Sequence, residues 1–108
     1  MYSLLIVDDM PAITDGLAQD IPWVKAGVTK VYKAYDITEA MRILQNEHVD
    51  VLITDIRMPG GDGLDLVKRI IGRWKHLKMI LYSAYDEFTY AQKAIEYGVS
   101  FFLTKPTA

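Results

Sequence analysis

Short apolar runs alternate along the chain with stretches of helical period, and few folds accommodate that alternation. Residues 4–7, 28–34, 51–54, 79–82 and 101–103 read as strands, apolar without the in-out alternation of a half-exposed sheet, as strands covered on both faces are. Between them Ile13, Leu17 and Ile21 recur at i, i+4, i+8, and Ile37, Ala40, Met41 and Leu44 at i, i+3, i+4, i+7. Leu64, Val67, Ile71 and Trp74 form a third stripe, and Phe88, Ala91 and Ile95 a fourth that ends at Gly98, placed as the left-handed residue closing a helix. Five strands and four helices in this order demand right-handed crossovers, so the expected fold is α/β: a doubly wound, open, parallel five-stranded sheet. The expected strand order is 2-1-3-4-5, one of the two common orders for such sheets. The Gly60-Gly61-Asp62-Gly63 cluster reads as one loop whose Asp62 caps the third helix.

The whole chain of 108 residues, 51% hydrophobic and 24% charged, is expected to be one globular domain with a single core and no linker or repeat. No apolar run approaches the roughly 18 residues that span a bilayer, and no basic start precedes Leu4, so a soluble, unprocessed, cytoplasmic protein is the expectation. The sequence contains no cysteine, which excludes disulfides, thiolate metal sites and cysteine nucleophiles. A net charge of −2 is too acidic for a surface that grips a nucleic-acid backbone unaided, so no direct nucleic-acid binding is expected of these residues.

Ligands in this architecture bind outside the carboxyl ends of the strands where strand order reverses. Asp8-Asp9, Asp55, Ser83 and Lys105-Pro106 all stand at such ends. Asp9 alone reads equally well as an N-cap of the first helix. Three carboxylates converging on one edge repel each other, however, and call for a cation. Oxygen donors without His or Cys suit Mg²⁺ or Mn²⁺, which in turn implies a phosphate nearby. Lys105 supplies a fixed positive charge for an anion, and Ser83 a hydroxyl donor that, without a neighbouring histidine as base, is a poor nucleophile.

These residues closely resemble, in order and over essentially the whole chain, the receiver domain of bacterial two-component response regulators. The carriers are Asp8-Asp9, Asp55-Ile56-Arg57-Met58-Pro59-Gly60, Ser83-Ala84 and Lys105-Pro106. Pro22-Trp23 ahead of Gly27-Val28, Thr54 through Pro59, and Ser83-Ala84-Tyr85-Asp86-Glu87-Phe88 are most similar to receivers attached to AraC-type helix-turn-helix DNA-binding domains. The resemblance implies that Asp55 accepts a phosphoryl group from a sensor histidine kinase. It implies Mg²⁺ held by Asp9, Asp55 and the backbone carbonyl of Arg57, with Asp8 acting through a water. Lys105 and Ser83 would then meet the phosphoryl oxygens, Phe102 would occupy the aromatic switch position, and Arg57 and Tyr85 would flank the phosphoryl group and tune its hydrolysis. The domain would be no enzyme beyond catalysing its own phosphorylation and slow dephosphorylation. Tyr90, Ala94 and Tyr97, at i, i+4, i+7 on the fourth helix, are a candidate face for homodimerisation on activation.

Three other readings compete. A pseudo-receiver would keep the fold and respond to protein contact without phosphorylation. A flavodoxin-like FMN carrier would need a hydroxyl-rich and Gly-rich phosphate loop where Asp8-Asp9 stands, and a dehalogenase-type phosphatase would need a second Asp where Met10 stands. His48 and His76 lie away from the strand carboxyl ends and read as surface residues. Receivers close with a fifth helix after the Lys-Pro turn, so the chain reads as a C-terminally truncated receiver with part of one sheet face uncovered.

Overall fold

The computed structural model describes residues 1–55, 57–58, 61–83 and 88–105. In chain order these form β1 (Tyr2–Val7), α1 (Pro11–Asp20), a 3-10 turn (Trp23–Ala26), β2 (Val28–Ala34), α2 (Ile37–Asn46), β3 (Val51–Thr54), β4 (Arg57–Met58), β5 (Gly61–Asp62), α3 (Gly63–Arg73), β6 (Lys78–Ser83), α4 (Phe88–Glu96) and β7 (Phe101–Thr104). The sheet runs β2-β1-β3-β6-β7, every pairing parallel, which is the expected 2-1-3-4-5 order counted over its five strands. The two short strands β4 and β5 pair antiparallel with each other, so Gly61-Asp62 belongs to a small ribbon instead of a plain loop.

Strand polarity sets the two cores. Leu5, Val7, Leu52, Met79 and Leu81 face α2, α3 and α4, where Ala40, Leu44, Leu66, Val67, Ile70 and Ala94 complete the main core. Leu4, Ile6, Val28 and Ile53 face the other way, toward Leu17, Ala18 and Trp23. That second face is covered by α1 and the 3-10 turn, the latter tied back by Trp23 Nε1 donating to the Leu17 carbonyl at 2.8 Å. An apolar groove of about 370 Å³ remains on it, lined by residues that include Leu4, Ile53, Ile80, Tyr82 and Leu103. Phe101 is 65% exposed and Leu103 53%.

Two helix stripes need correction. Ile21 lies just past the end of α1 and is 39% exposed, while the buried residue of α1 is Thr14, whose hydroxyl donates to the Met10 and Pro11 carbonyls. In α4, Ala94 is fully buried and Ile95 is 52% exposed, so the core stripe passes through Ala94. The assignment of Ala94 to a docking face is thereby overturned. Helical pitch places residues 94 and 95 about 100° apart, and Ile95 looked the more apolar of the two. Gly98 does close α4: its φ is +109°, its N–H donates to Ile95, and the Val99 N–H donates to Ala94, the paired bonds of a Schellman motif.

Candidate functional site

The pairing register brings the acidic residues together. Val7 and Thr54 are partners in neighbouring strands, so the residues that follow them, Asp8 and Asp55, leave the sheet side by side. The same edge receives Ser83 at the end of β6 and Lys105 after β7, where the Lys105 N–H donates to the Ser83 carbonyl at 2.7 Å. Sequence spacing could not set these distances; four separate strand ends do.

Asp8 is 2% exposed and Asp55 8%, and carboxylate oxygens of Asp8, Asp9 and Asp55 all lie within 4.8 Å of one another, with Asp9 the least buried. Lys105 Nζ bridges two of them, at 2.6 Å from Asp55 Oδ2 and 2.8 Å from Asp8 Oδ2. Ser83 Oγ donates to Asp55 Oδ1 at 3.2 Å. Asp8 Oδ1 accepts from the Met10 N–H at 3.0 Å. The N-cap of α1 is Met10, without a side-chain capping bond, so the capping role considered for Asp9 is not realised.

Burial pushes the Asp8 carboxyl above its ordinary range, outweighing the bonds from Lys105 and Met10 that pull it down. For Lys105 burial works against the charge, but Asp55 and Asp8 more than offset it and hold the ammonium above the usual lysine value. Among the described residues Lys105 pairs with Asp8 and Asp55, and a divalent cation at the three carboxylates would offset their mutual repulsion. An all-oxygen donor set fits Mg²⁺ or Mn²⁺, and Asp8, Asp9 and Asp55 are the side chains that would hold it.

The remaining candidates are placed less fully. Arg57 sits in β4, beside the site in sequence, while Tyr85 and Pro106 lie outside the described residues, as does the side chain of Tyr90. Phe102 is half-buried and packs on the main core. Tyr97 is 36% exposed, with Lys68 Nζ 5.0 Å from its ring centroid. Two contributors escaped the sequence reading. Thr54, fully buried, donates its hydroxyl to the Asp55 carbonyl at 3.0 Å, and the Tyr82 ring lies 5.9 Å from Lys105 Nζ. A hydroxyl in an apolar run directly before Asp55 was the available signal for Thr54.

A doubly wound parallel sheet with an acidic trio, a hydroxyl and a lysine at its switch-point edge defines the class of receiver-type domains. The chain belongs to the response regulator receiver domain family, whose pattern matches residues 4–108. It is 38% identical over 106 residues to the uncharacterised transcriptional regulatory protein YesN of Bacillus subtilis, covering 98% of this chain and 29% of that protein. It is also 38% identical over 108 residues to the transcriptional regulatory protein HptR of Staphylococcus aureus, spanning 41% of that protein's length. The receiver domain of AraT, a response regulator from Geobacillus stearothermophilus, superposes with a TM-score of 0.90 at 39% identity, covering 98% of this chain and 82% of that one. A two-component transcriptional regulator AraC from Clostridium phytofermentans also gives 0.90, at 31% identity, over 100% of this chain and 84% of that one. The family excludes the FMN-carrier and dehalogenase readings. Among the described residues no helix is long and apolar enough to cross a membrane.

Proposed function

We propose that this domain takes a phosphoryl group onto Asp55 from a phosphohistidine of a sensor kinase, in a Mg²⁺-dependent reaction, and so controls an output domain. The observation that carries the reading is the pair of bonds on Asp55: Ser83 Oγ at Oδ1 and Lys105 Nζ at Oδ2. A carboxylate oxygen attacks phosphorus, the phosphorus–nitrogen bond breaks, and the departing ring nitrogen takes a proton from water to leave neutral imidazole. As the attacking oxygen joins phosphorus its negative charge falls and its bond to Ser83 or Lys105 weakens, which lets that group turn toward the incoming phosphoryl oxygens. Lys105 stabilises their charge from the side of Asp8, and Mg²⁺ when bound supplies the remaining neutralisation. Phe102, packed on the main core beside Ser83's strand, is proposed to respond to that movement, and Arg57 and Tyr85 to tune hydrolysis. The output is proposed to be transcriptional, through an AraC-type DNA-binding domain, in a cytoplasmic protein that dimerises on activation. We also propose that a helix following β7 fills the apolar groove beside Leu103 in the longer protein.

Incubation with acetyl phosphate tests the reaction. Wild type with Mg²⁺ should incorporate a base-labile phosphoryl group, and both chelation by EDTA and Asp55→Asn should abolish it. A protein that never labels, under conditions in which another receiver does, is the pseudo-receiver.

A further inference from the structure

Strand β6 ends in two side chains that reach the phosphoacceptor edge from opposite faces of the sheet. Successive residues of a strand alternate between faces, so Ser83 meets Asp55 on one side and Tyr82 turns to the other. Tyr82 packs against the cluster of Leu4, Ile6, Val28 and Ile53 and, with Ile80 and Leu103, walls the apolar groove. Its hydroxyl makes no hydrogen bond among the described residues, so its contacts are those of the ring.

Lys105 Nζ stands over that ring, 5.9 Å from the centroid, while its hydrogen bonds run to Asp55 Oδ2 and Asp8 Oδ2. The ammonium is thus bounded by two carboxylates and by the negative face of an aromatic ring, which attracts a cation. Ring and ammonium are also fastened to each other through the backbone. Tyr82 pairs with Leu103 in the β6–β7 ladder, and the Lys105 N–H donates to the Ser83 carbonyl at 2.7 Å. Lysine is a strongly hydrated charge on a flexible stem, yet the Lys105 side chain is only 15% exposed. When Asp55 joins phosphorus its attraction for the ammonium falls. That of the ring does not change, because Tyr82 takes no part in the bonds made and broken.

We propose that Tyr82 is a positioning residue for phosphoryl transfer: its ring backs the Lys105 ammonium, keeps it out of water and holds it where the phosphoryl oxygens arrive. The inference rests on the reading of Asp55 as the phosphoacceptor. Tyr82 acts through Lys105 and touches neither the phosphoryl group nor the carboxylates that would hold Mg²⁺.

The variants Tyr82→Phe and Tyr82→Leu separate the ring from its apolar bulk. With saturating acetyl phosphate and Mg²⁺, Tyr82→Phe should label at the wild-type rate and Tyr82→Leu about two- to fivefold more slowly, the size of the attraction between a cation and a partly exposed ring. Calorimetric titration should give one Mg²⁺ affinity for all three proteins. The ¹⁵N relaxation of the Lys105 ammonium should show it ordered in wild type and Tyr82→Phe and mobile in Tyr82→Leu. Melting curves check folding, and Tyr82→Met takes the place of Tyr82→Leu if that variant is unfolded. Wild-type labelling by Tyr82→Leu, equal slowing in Tyr82→Phe, an ammonium equally ordered in all three, or weakened Mg²⁺ binding in Tyr82→Leu would each overturn the proposal. A wild type that never labels contradicts the phosphoacceptor reading instead, and the ammonium relaxation then decides by itself whether Tyr82 positions Lys105.

Discussion

Asp8 is a carboxylate with almost no access to solvent, and burial holds its pKa above the unfolded value near 3.8. A raised folded pKa means that the folded state holds the proton more tightly. Stability therefore falls as pH climbs from about 3.8 through the folded value, then levels off. At neutral pH Asp8→Asn is expected to stabilise the metal-free protein, read as a higher melting temperature in scanning calorimetry. Added Mg²⁺ should raise the melting temperature of wild type more than that of the variant. Lys105 acts in the opposite range: its pKa is raised by Asp55 and Asp8 against burial, so its contribution is complete below about 10.5 and is lost as pH rises through the folded value. The charged members of this cluster were legible because each stands at the end of an apolar run. The bonds that orient Asp55, from Ser83 and from Thr54 to its carbonyl, depend on rotamers and on register, which residue order does not carry.

Helix α4 shows how far periodicity reaches at the scale of elements. Its C-terminus was readable, because a lone glycine after a helical stripe has one common use, and Gly98 takes it at φ +109°. A Cβ there would meet Ile71 Cδ1 at 3.6 Å, an ordinary contact, so Gly98→Ala should cost about 1 kcal/mol through backbone conformation alone, measurable by urea denaturation. The inward face was not readable, because Ala94 and Ile95 are both apolar and only packing against α3 separates them. Ala94→Asp should unfold the domain or destabilise it by ~3 kcal/mol, while Ile95→Ser should change stability by less than about 0.5 kcal/mol. At the other edge of the sheet Asp50 latches β1 to β3, and its carboxyl is held below its ordinary range, chiefly by the Ser3 N–H. That stability is present above 3.8 and is lost as pH falls through the lower folded value. Asp50→Ala should cost about 2 kcal/mol at neutral pH and flatten the acid limb of the stability profile.

Among the described residues the sheet has one face closed by three helices and the other covered in part by α1 and the 3-10 turn. The doubly wound parallel sheet was legible from the βα alternation, since right-handed crossovers leave few topologies, while the order 2-1-3-4-5 rested in part on the receiver resemblance. The ribbon of β4 and β5 was not, because strands of two residues have no period to detect. The groove beside Leu4, Ile53, Ile80 and Leu103 is apolar surface facing water. Covering it should add about 2.5 kcal/mol for every 100 Å² removed from solvent, so a version of the chain extended through the next helix should melt higher. The central claim concerns Asp55. After incubation with acetyl phosphate and Mg²⁺, borohydride reduction converts a phosphorylated aspartate to homoserine, which peptide mass spectrometry locates. The account predicts homoserine at position 55 and nowhere else. Homoserine at another position, or its absence from a protein that has incorporated phosphate, would contradict it.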